Sequence, residues 1–266
     1  MAIALVTGAS RGIGKATALQ LAREGYTVAV NFHHNIKAAT DVINQIVEAG
    51  GKAFAVRADI SDEAQVMAMF DSIDREGEPL TALVNNAGIL FEQSTIESLS
   101  AERINRVLAT NVTGYFLCCR EAVKRMSHKH GGKGGAIVNV SSAASRLGAP
   151  GEYVDYAAPK GAVDSLTTGL SLAAAAPGIR VNCVRPGLIY TAIHAYGRAP
   201  GRLARLQSML PMQRRRPPAG GVVAAVAGHL QRRPAILQIA GGPLQRGDPL
   251  AEVTSTHLLA EPPQAL

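Results

Sequence analysis

The chain has 266 residues, 47% of them apolar, which is ample for the core of one large α/β domain or two small ones. Its formal net charge is +7, but the segment between Ser165 and Gly247 holds eleven Arg and no Asp or Glu, so the basic excess belongs to that region. No run of about 18 apolar residues is present and the N-terminus lacks the basic region of a signal peptide, which argues against a membrane protein.

The first predicted element is a short apolar strand, Ile3 to Val6, that leads through a glycine-rich turn into a helix from about Ile13 to Arg23. Glycines at such a turn let the backbone approach a pyrophosphate, whose charge is favoured at the helix N-terminus. Gly8, Gly12 and Gly14 have the spacing G-x3-G-x-G rather than that of the commonest dinucleotide fingerprint. The turn alone is weak evidence, but at the first strand-to-helix junction it favours a nucleotide site.

The second predicted strand, Tyr26 to Asn31, bears on the choice of cofactor. In a dinucleotide fold the residue at the end of this strand faces the adenosine ribose, where an acid would bond the 2′-hydroxyl. Asn31 is not an acid, and Arg11, His33 and His34 are expected nearby, so NADP(H) is favoured over NAD(H). A solvated turn is the alternative interpretation of the two histidines.

The next elements continue the alternation of strand and helix. They are a helix from Ile36 to Ala49, a strand from Lys52 to Arg57, a helix that Asp62 caps and that ends near Gly77, and a strand from Leu80 to Val84. The pattern predicts an α/β fold with a doubly wound parallel sheet of Rossmann type, in three layers, with ligand at the carboxyl ends of the strands. No linker divides the first 200 residues, so we predict one domain over residues 1–247.

A long helix, from about Ala101 to Ser127, contains Asn111 near its middle. An Asn inside a helix usually points to solvent, so a structural role is the default interpretation of its side chain. The loop from His128 to Gly135 is predicted to be a flexible surface connection with solvated His and Lys side chains.

The central stretch begins with an apolar strand that ends in Ser141-Ser142, and it places Tyr156 four residues before Lys160. If a helix opens near Tyr156, this spacing puts the phenol and the ammonium on one face. A cation beside a phenol favours the phenolate, so Lys160 can tune Tyr156 for proton transfer while Ser142 bonds a substrate oxygen. The alternative is an ordinary surface Tyr-Lys pair.

Taken together, the motifs resemble those of the short-chain dehydrogenase/reductase family, in the compact branch that includes enzymes similar to 3-oxoacyl reductases and to sugar or alcohol dehydrogenases. The resemblance covers residues 2–213. The shared motifs are Thr7-Gly8-x-x-x-Gly12-x-Gly14, Asn85-Asn86-Ala87-Gly88, Asn111, Ser142, Tyr156-x-x-x-Lys160 and Pro186-Gly187.

The resemblance implies roles for these residues. Tyr156 would be the general acid for carbonyl reduction or the base for alcohol oxidation, and Ser142 would orient the reacting oxygen. Lys160 would lower the pKa of Tyr156 and hold the nicotinamide ribose, and Asn111 would support a water-linked proton path to Lys160. The hydride chemistry itself belongs to the cofactor.

The resemblance also implies a set of cofactor contacts, to which Tyr156, Lys160 and Asn31 belong. Along the phosphates they are Gly8, Arg11, Gly12, Ile13 and Gly14. On the adenine and adenosine side they are Asp59, Ile60, Asn86, Ala87 and Gly88. At the nicotinamide they are Pro186, Gly187, Ile189 and Thr191.

Two departures from the family pattern lie close to the predicted catalytic residues. The gap from Ser142 to Tyr156 is one residue longer than expected, which a loop can absorb. Pro159 stands directly before Lys160, where such enzymes commonly have Ser. Because proline is tolerated only in the first turn of a helix, either the helix starts just before Tyr156 and accommodates Pro159, or it starts later and the Tyr156-Lys160 geometry loosens.

The third departure is the C-terminal part. Residues 191–213 resemble a substrate lid, but residues 214–247 lack the family's acidic helix and final Asp-Gly-Gly, and residues 248–266 are predicted to be disordered. Within this part we predict a helix from Val222 to Leu230 and an edge strand from Ala235 to Ala240. We hypothesise that it has diverged or arises from a shifted reading frame, which resequencing the gene decides. The homodimer or homotetramer implied by the resemblance is less secure for that reason.

The leading functional hypothesis is an NADP(H)-dependent oxidoreductase that interconverts a carbonyl and an alcohol on a small molecule. Its rival is a catalytically impaired NADP(H)-binding protein of the same fold. Nucleic-acid binding through Arg214 to Arg216 is disfavoured, because aromatic residues are not interleaved with the Arg. Cys118, Cys119 and Cys183 are odd in number and lack metal-ligand spacing, so we predict core thiols in a cytoplasmic protein without a metal site.

Overall fold

The structure, a computed structural model, describes residues 1–187, 189 and 221–231, and the backbone of residues 237–239. Strands and helices alternate along it. The strands are β1 (Ile3–Val6), β2 (Thr27–Phe32), β3 (Lys52–Arg57), β4 (Leu80–Asn85), β5 (Gly135–Val140), β6 (Ile179–Pro186) and β7 (Leu237–Ile239). The helices are α1 (Gly12–Arg23), α2 (Ile36–Glu48), α3 (Glu63–Asp74), α4 (Ala101–Leu108), α5 (Gly114–Met126), α6 (Ala144–Leu147), α7 (Val154–Ala173) and α8 (Gly221–Leu230).

All seven strands pair in parallel in one sheet of order β3-β2-β1-β4-β5-β6-β7. The strand order reverses between β1 and β4, and in open α/β sheets the ligand crevice opens at such a point, beyond the carboxyl ends of the strands. The predicted doubly wound parallel sheet is therefore confirmed.

Each face of the sheet packs against a layer of helices, because successive residues of a strand point to opposite faces. Ala4 and Val6 of β1 pack in one apolar core with buried residues of α1, α2 and α8. Ile3 and Leu5 pack in a second core with buried residues of α3, α5 and α7. The three predicted layers follow from these two cores.

The predicted long helix from Ala101 to Ser127 is interrupted. A π-helical segment, Ala109–Thr113, separates α4 from α5. It contains Asn111, whose exposed fraction is 0%, so the default expectation of a solvent-facing side chain was wrong. The reason is a tertiary contact with the chain after β4, described below.

Both predicted C-terminal elements are present. Helix α8 spans Gly221–Leu230, and the edge strand β7 is described over Leu237–Ile239, within the predicted range Ala235 to Ala240. The guanidinium of Arg180, in β6, donates to the carbonyls of His229 and Leu230 at 2.6 Å each and so caps the end of α8. The predicted lid, Arg214 to Arg216 and residues 248–266 lie outside the described residues. No helix in the described part of the chain is long and apolar enough to cross a membrane.

Candidate active site

The glycine-rich turn between β1 and α1 has a shape that only glycines permit. Gly8 and Gly12 have φ values of +62° and +56°, in the left-handed region that favours glycine. A Cβ on Gly14 would lie 2.4 Å from the carbonyl oxygen of Gly8 and 2.5 Å from Nδ2 of Asn86. The turn therefore exposes backbone rather than side chains to the crevice between β1 and β4.

The end of β4 is tied to this turn by Thr7 and Asn86. The Thr7 hydroxyl accepts hydrogen bonds from the backbone N–H groups of Asn86 at 2.9 Å and Ala87 at 3.0 Å. The Asn86 amide donates to the carbonyls of Thr7 at 2.9 Å and Gly8 at 3.1 Å. These bonds bring the predicted residues Gly8, Asn86 and Ala87 together, and they give Thr7 a role that the sequence interpretation did not assign.

The start of α1 suits an anionic group. Its first turn has no acidic residue, and Arg11 occupies the exposed N-cap position. Ile13, predicted along the phosphates, is half-buried and packs against the core, so its backbone is the part available to a ligand. A glycine cradle at a helix N-terminus without acids fits the pyrophosphate of a nicotinamide dinucleotide.

Asn31 lies near the end of β2, as expected, and its side chain is buried. It is only 2% exposed, accepts from the Gly8 backbone N–H at 3.1 Å, and donates to the carbonyls of Val56 and Ala58 at 3.2 Å. The amide thereby braces the glycine turn against β3, and the predicted contact of Asn31 with the cofactor stays a prediction.

The loop after β3 carries the residues predicted at the adenine. Asp59 is half-buried, accepts from the N–H and hydroxyl of Ser61, and lies 3.7 Å from Nδ1 of His33. The side chain of Ile60 is buried, and a Cβ on Gly114 would lie 2.8 Å from it. Asp59 thus borders the crevice through its side chain, whereas Ile60 can do so through its backbone alone.

Three of the predicted catalytic residues, Ser142, Tyr156 and Lys160, lie near the carboxyl end of β5. Helix α7 opens at Val154 and carries Tyr156 and Lys160 on one face, with the Lys160 Nζ 5.6 Å from the centroid of the Tyr156 ring. Lys160 is tied to β5 twice, since its Nζ donates to the Val140 carbonyl at 2.7 Å and its carbonyl accepts from the Ser141 hydroxyl at 3.0 Å. Ser142 follows, and its Oγ accepts from the Ala144 N–H at 3.1 Å.

Lys160 is a buried cation. Only 3% of the residue is exposed, and burial lowers the pKa of its ammonium to about 8. The ammonium lies 3.4 Å from the hydroxyl of Tyr115, which is itself fully buried and donates to Val140 at 3.1 Å. The sequence interpretation did not single out Tyr115, although its position four residues after Asn111 would have placed it one turn further along the same helix.

Asn111 anchors the chain that leaves β4. Its Oδ1 accepts from the backbone N–H of Ile89 and its Nδ2 donates to the Ile89 carbonyl, both at 2.9 Å. A Cβ on Gly88 would lie 3.3 Å from the same Oδ1. Among the described contacts Asn111 therefore fixes the Gly88-Ile89 backbone, and its predicted link to Lys160 stays a prediction.

The residues predicted at the nicotinamide follow β6. The Pro186 carbonyl accepts from the Ala143 N–H at 2.9 Å, which joins the ends of β5 and β6, and Gly187 is half-buried just beyond. Ile189 is 4% exposed and packs in the same core as α8, so its side chain is not available to a ligand. Thr191 lies outside the described residues. Within the described ranges, His, Cys, Asp and Glu form no group of three that could hold a metal ion.

Comparison with known proteins places the chain in a family. A sequence model described as short chain dehydrogenase matches residues 2–200. An oxidoreductase of Escherichia coli, YgfF, named as uncharacterized, is 74% identical over 214 residues, which are 80% of this chain and 87% of that protein. The 3-oxoacyl-[acyl-carrier-protein] reductase FabG of Staphylococcus aureus is 40% identical over 186 residues, 70% of this chain and 74% of that protein.

A solved structure agrees with these matches. The short chain dehydrogenase from Burkholderia cenocepacia in complex with NADP has a TM-score of 0.80 and 30% sequence identity, over 90% of this chain and 96% of that one. With the parallel sheet, the glycine cradle and the Tyr156-Lys160 pair, the matches establish that the chain is an NAD(P)-dependent oxidoreductase of the short-chain dehydrogenase/reductase family.

Proposed function

We propose that the protein uses NADP(H) to interconvert a ketone or aldehyde and an alcohol on a small molecule, with Tyr156 as the general acid/base. The observation that carries the proposal is the position of Lys160. Its ammonium is held at the end of β5 by the Val140 carbonyl and lies 5.6 Å from the centroid of the Tyr156 ring. A cation at that distance favours the phenolate and makes Tyr156 a usable proton donor and acceptor near neutral pH.

In this proposal each residue has a separate task. The cofactor supplies or accepts the hydride. In the reductive direction Tyr156 gives its hydroxyl proton to the substrate oxygen, and in the oxidative direction it takes that proton back. Ser142 donates a hydrogen bond to the same oxygen. Its Oγ accepts a hydrogen bond from the Ala144 N–H, which leaves the direction of its own hydroxyl hydrogen to be set by the substrate. Lys160 stabilises the phenolate left after proton transfer.

The preference for NADP(H) over NAD(H) is part of the proposal. The end of β2 carries Asn31, whose amide is buried, and then His33 and His34, whose rings lie 3.5 Å apart. Arg11 is exposed at the start of α1. Cationic and neutral groups at this position suit a 2′-phosphate, whereas an acid would repel it. The Burkholderia relative, solved in complex with NADP, supports the same choice.

The proposal also covers the substrate class, the partners and the location of the protein. The staphylococcal relative is named for reduction of 3-oxoacyl groups, so 3-oxoacyl thioesters belong on the substrate panel beside simple ketones and sugars. We propose small-molecule substrates and no nucleic-acid partner. The cytoplasm is the proposed location, because Cys118, Cys119 and Cys183 are free and buried, as expected in a reducing compartment.

Fluorescence titration with NADPH and NADH, followed by turnover on that panel, tests the proposal with Tyr156→Phe as the key variant. We expect wild type to bind NADPH more tightly than NADH and to reduce at least one panel member. Tyr156→Phe should keep NADPH binding and lose turnover by about 100-fold or more, since the proton donor is gone. Turnover that survives this substitution would contradict the role of Tyr156, and tighter binding of NADH would contradict the cofactor preference.

The rival function, binding without catalysis, is favoured by one feature. Pro159 is the sixth residue of α7, beyond the first turn in which proline is normally tolerated. Tight NADPH binding by wild type, with no turnover on the whole panel, would support the rival.

A further inference from the structure

The first turn of α7 carries Tyr156 yet lacks two of the usual supports of a helix N-terminus. Tyr153, at the N-cap, makes no side-chain capping bond. Pro159 has no N–H, so the intrahelical bond that would run from residue 159 to the Asp155 carbonyl cannot form. A proton donor that must be placed to a fraction of an ångström thus sits on a weakened turn.

A buried ion pair supports this turn from outside. Nε of Arg103, in α4, lies 2.7 Å from Oδ2 of Asp155, and the two side chains are 18% and 3% exposed. The second oxygen of Asp155, Oδ1, is buried without a hydrogen bond among the described residues. Among those residues the Asp155 carboxylate therefore depends on Arg103 as its charged partner.

Arg103 also reaches the loop that leaves β4. Its Nη2 donates to the Glu92 carbonyl at 2.7 Å, and its guanidinium lies 5.5 Å from the centroid of the Phe91 ring. The same loop bonds the turn before α7, from the Ser94 N–H to the Glu152 carbonyl at 3.0 Å. The loop, α4 and the start of α7 are thereby joined around one guanidinium.

We propose that Arg103 is a positioning residue for Tyr156, which acts through Asp155 to replace the support that Pro159 removes from the first turn of α7. This inference rests on the proposed function for its catalytic consequence. Its structural consequence, an ordered first turn of α7, can be measured without turnover.

The test compares Arg103→Met with Arg106→Met. Arg106 lies on the same helix, with its guanidinium 5.4 Å from the same Phe91 ring, and has no described ion pair. We expect Arg103→Met to lower kcat, counted per NADPH-binding site, by about 100-fold while the NADPH Kd changes by about threefold or less. Arg106→Met should leave kcat within about twofold, because surface substitutions away from such contacts have small effects.

Rescue distinguishes positioning from a general loss of stability. Pro159→Ala restores an N–H that can donate to the Asp155 carbonyl, so in the Arg103→Met background it should recover about tenfold or more in kcat. In wild type it should change kcat by about threefold or less. If Arg103→Met does not fold, Asp155→Asn removes the ion pair with less change in volume and takes its place. Absence of rescue would overturn the compensating role of Arg103.

Amide hydrogen exchange over residues 154–162 gives the second readout. Exchange should be about tenfold faster in Arg103→Met than in wild type or Arg106→Met, and Pro159→Ala should slow it again. If wild type reduces nothing on the panel, the proposed function fails and exchange alone decides the role of Arg103. Wild-type exchange in Arg103→Met would overturn the proposal.

Discussion

Lys160 shows how the site combines two opposed demands. A buried ammonium is costly, which is why its pKa falls from 10.5 to about 8, yet the same burial keeps the charge unscreened beside Tyr156. At pH 7 the group is still protonated in the folded protein. The free energy that its burial costs is about 3 kcal/mol, from the difference between the two pKa values.

If Tyr156 acts as proposed, we expect Lys160 to make activity fall on the alkaline side. As pH rises through about 8, Lys160 loses its proton and no longer favours the Tyr156 phenolate, so kcat/KM should decline. The pH profile of kcat/KM measures this, and a plateau that extends to pH 10 would contradict it.

The stability of the folded protein should rise over the same pH range in which activity is expected to fall. Between pH 8 and pH 10.5 the unfolded chain binds more protons at Lys160 than the folded protein does, so its contribution to the free energy of unfolding rises with pH. A series of denaturation curves at different pH values measures this rise. Lys160→Met is the control, because methionine has no proton to lose and the contribution of residue 160 should then not change with pH.

The sequence predicted the glycine turn better than it predicted the contacts that individual side chains make. Gly8 and Gly14 were predicted from their spacing at the first strand-to-helix junction. The structure adds the physical reason for Gly14, since a Cβ there would collide with the Gly8 carbonyl. Asn31 was placed correctly on β2, but the partners of its amide were not predicted. Its partners, on the glycine turn and after β3, are distant in sequence, and a pattern in one strand carries no information about them.

At the scale of elements, the π-helical segment between α4 and α5 decides the role of Asn111. An extra residue in a helical turn changes which side chains face inward, and such segments are frequent at functional sites. Here it directs an amide to both backbone groups of Ile89, at the point where the chain leaves β4. The helical stretch from Ala101 to Ser127 was predicted, whereas the break was not, because that tertiary contact stabilises it.

Asn111→Ala should therefore destabilise the protein, by about 1–3 kcal/mol, since it leaves the N–H and carbonyl of the half-buried Ile89 without their described partner. Asn105→Ala is the matched control, because Asn105 lies on α4 with its side chain exposed and should change stability by about 0.5 kcal/mol or less. Urea denaturation of the two variants measures the difference. Equal midpoints would show that the Asn111 amide contributes no net stability.

At the scale of the whole molecule, the alternation of strands and helices was enough to predict the doubly wound sheet. Most bounds agree within two residues, because apolar runs and turn residues mark them locally. In the C-terminal part, the predicted edge strand is described over Leu237–Ile239, where β7 pairs with β6. The frameshift hypothesis for that part, the single-domain prediction and the expected homodimer or homotetramer stay predictions.

The contacts of Arg180 bear on whether α8 stays bound to the sheet after the chain is cleaved between β6 and α8. It binds the last carbonyls of α8, and Val222, Val226 and Leu230 of that helix lie in the core against the sheet. We therefore expect these contacts to hold α8 in place without the covalent connection from β6. A protease site engineered at residues 205–208 and then cleaved should give two fragments that elute as one particle in gel filtration. They should part only in denaturant or after Arg180→Ala, and separate elution of the wild-type fragments would show instead that α8 needs its covalent tether.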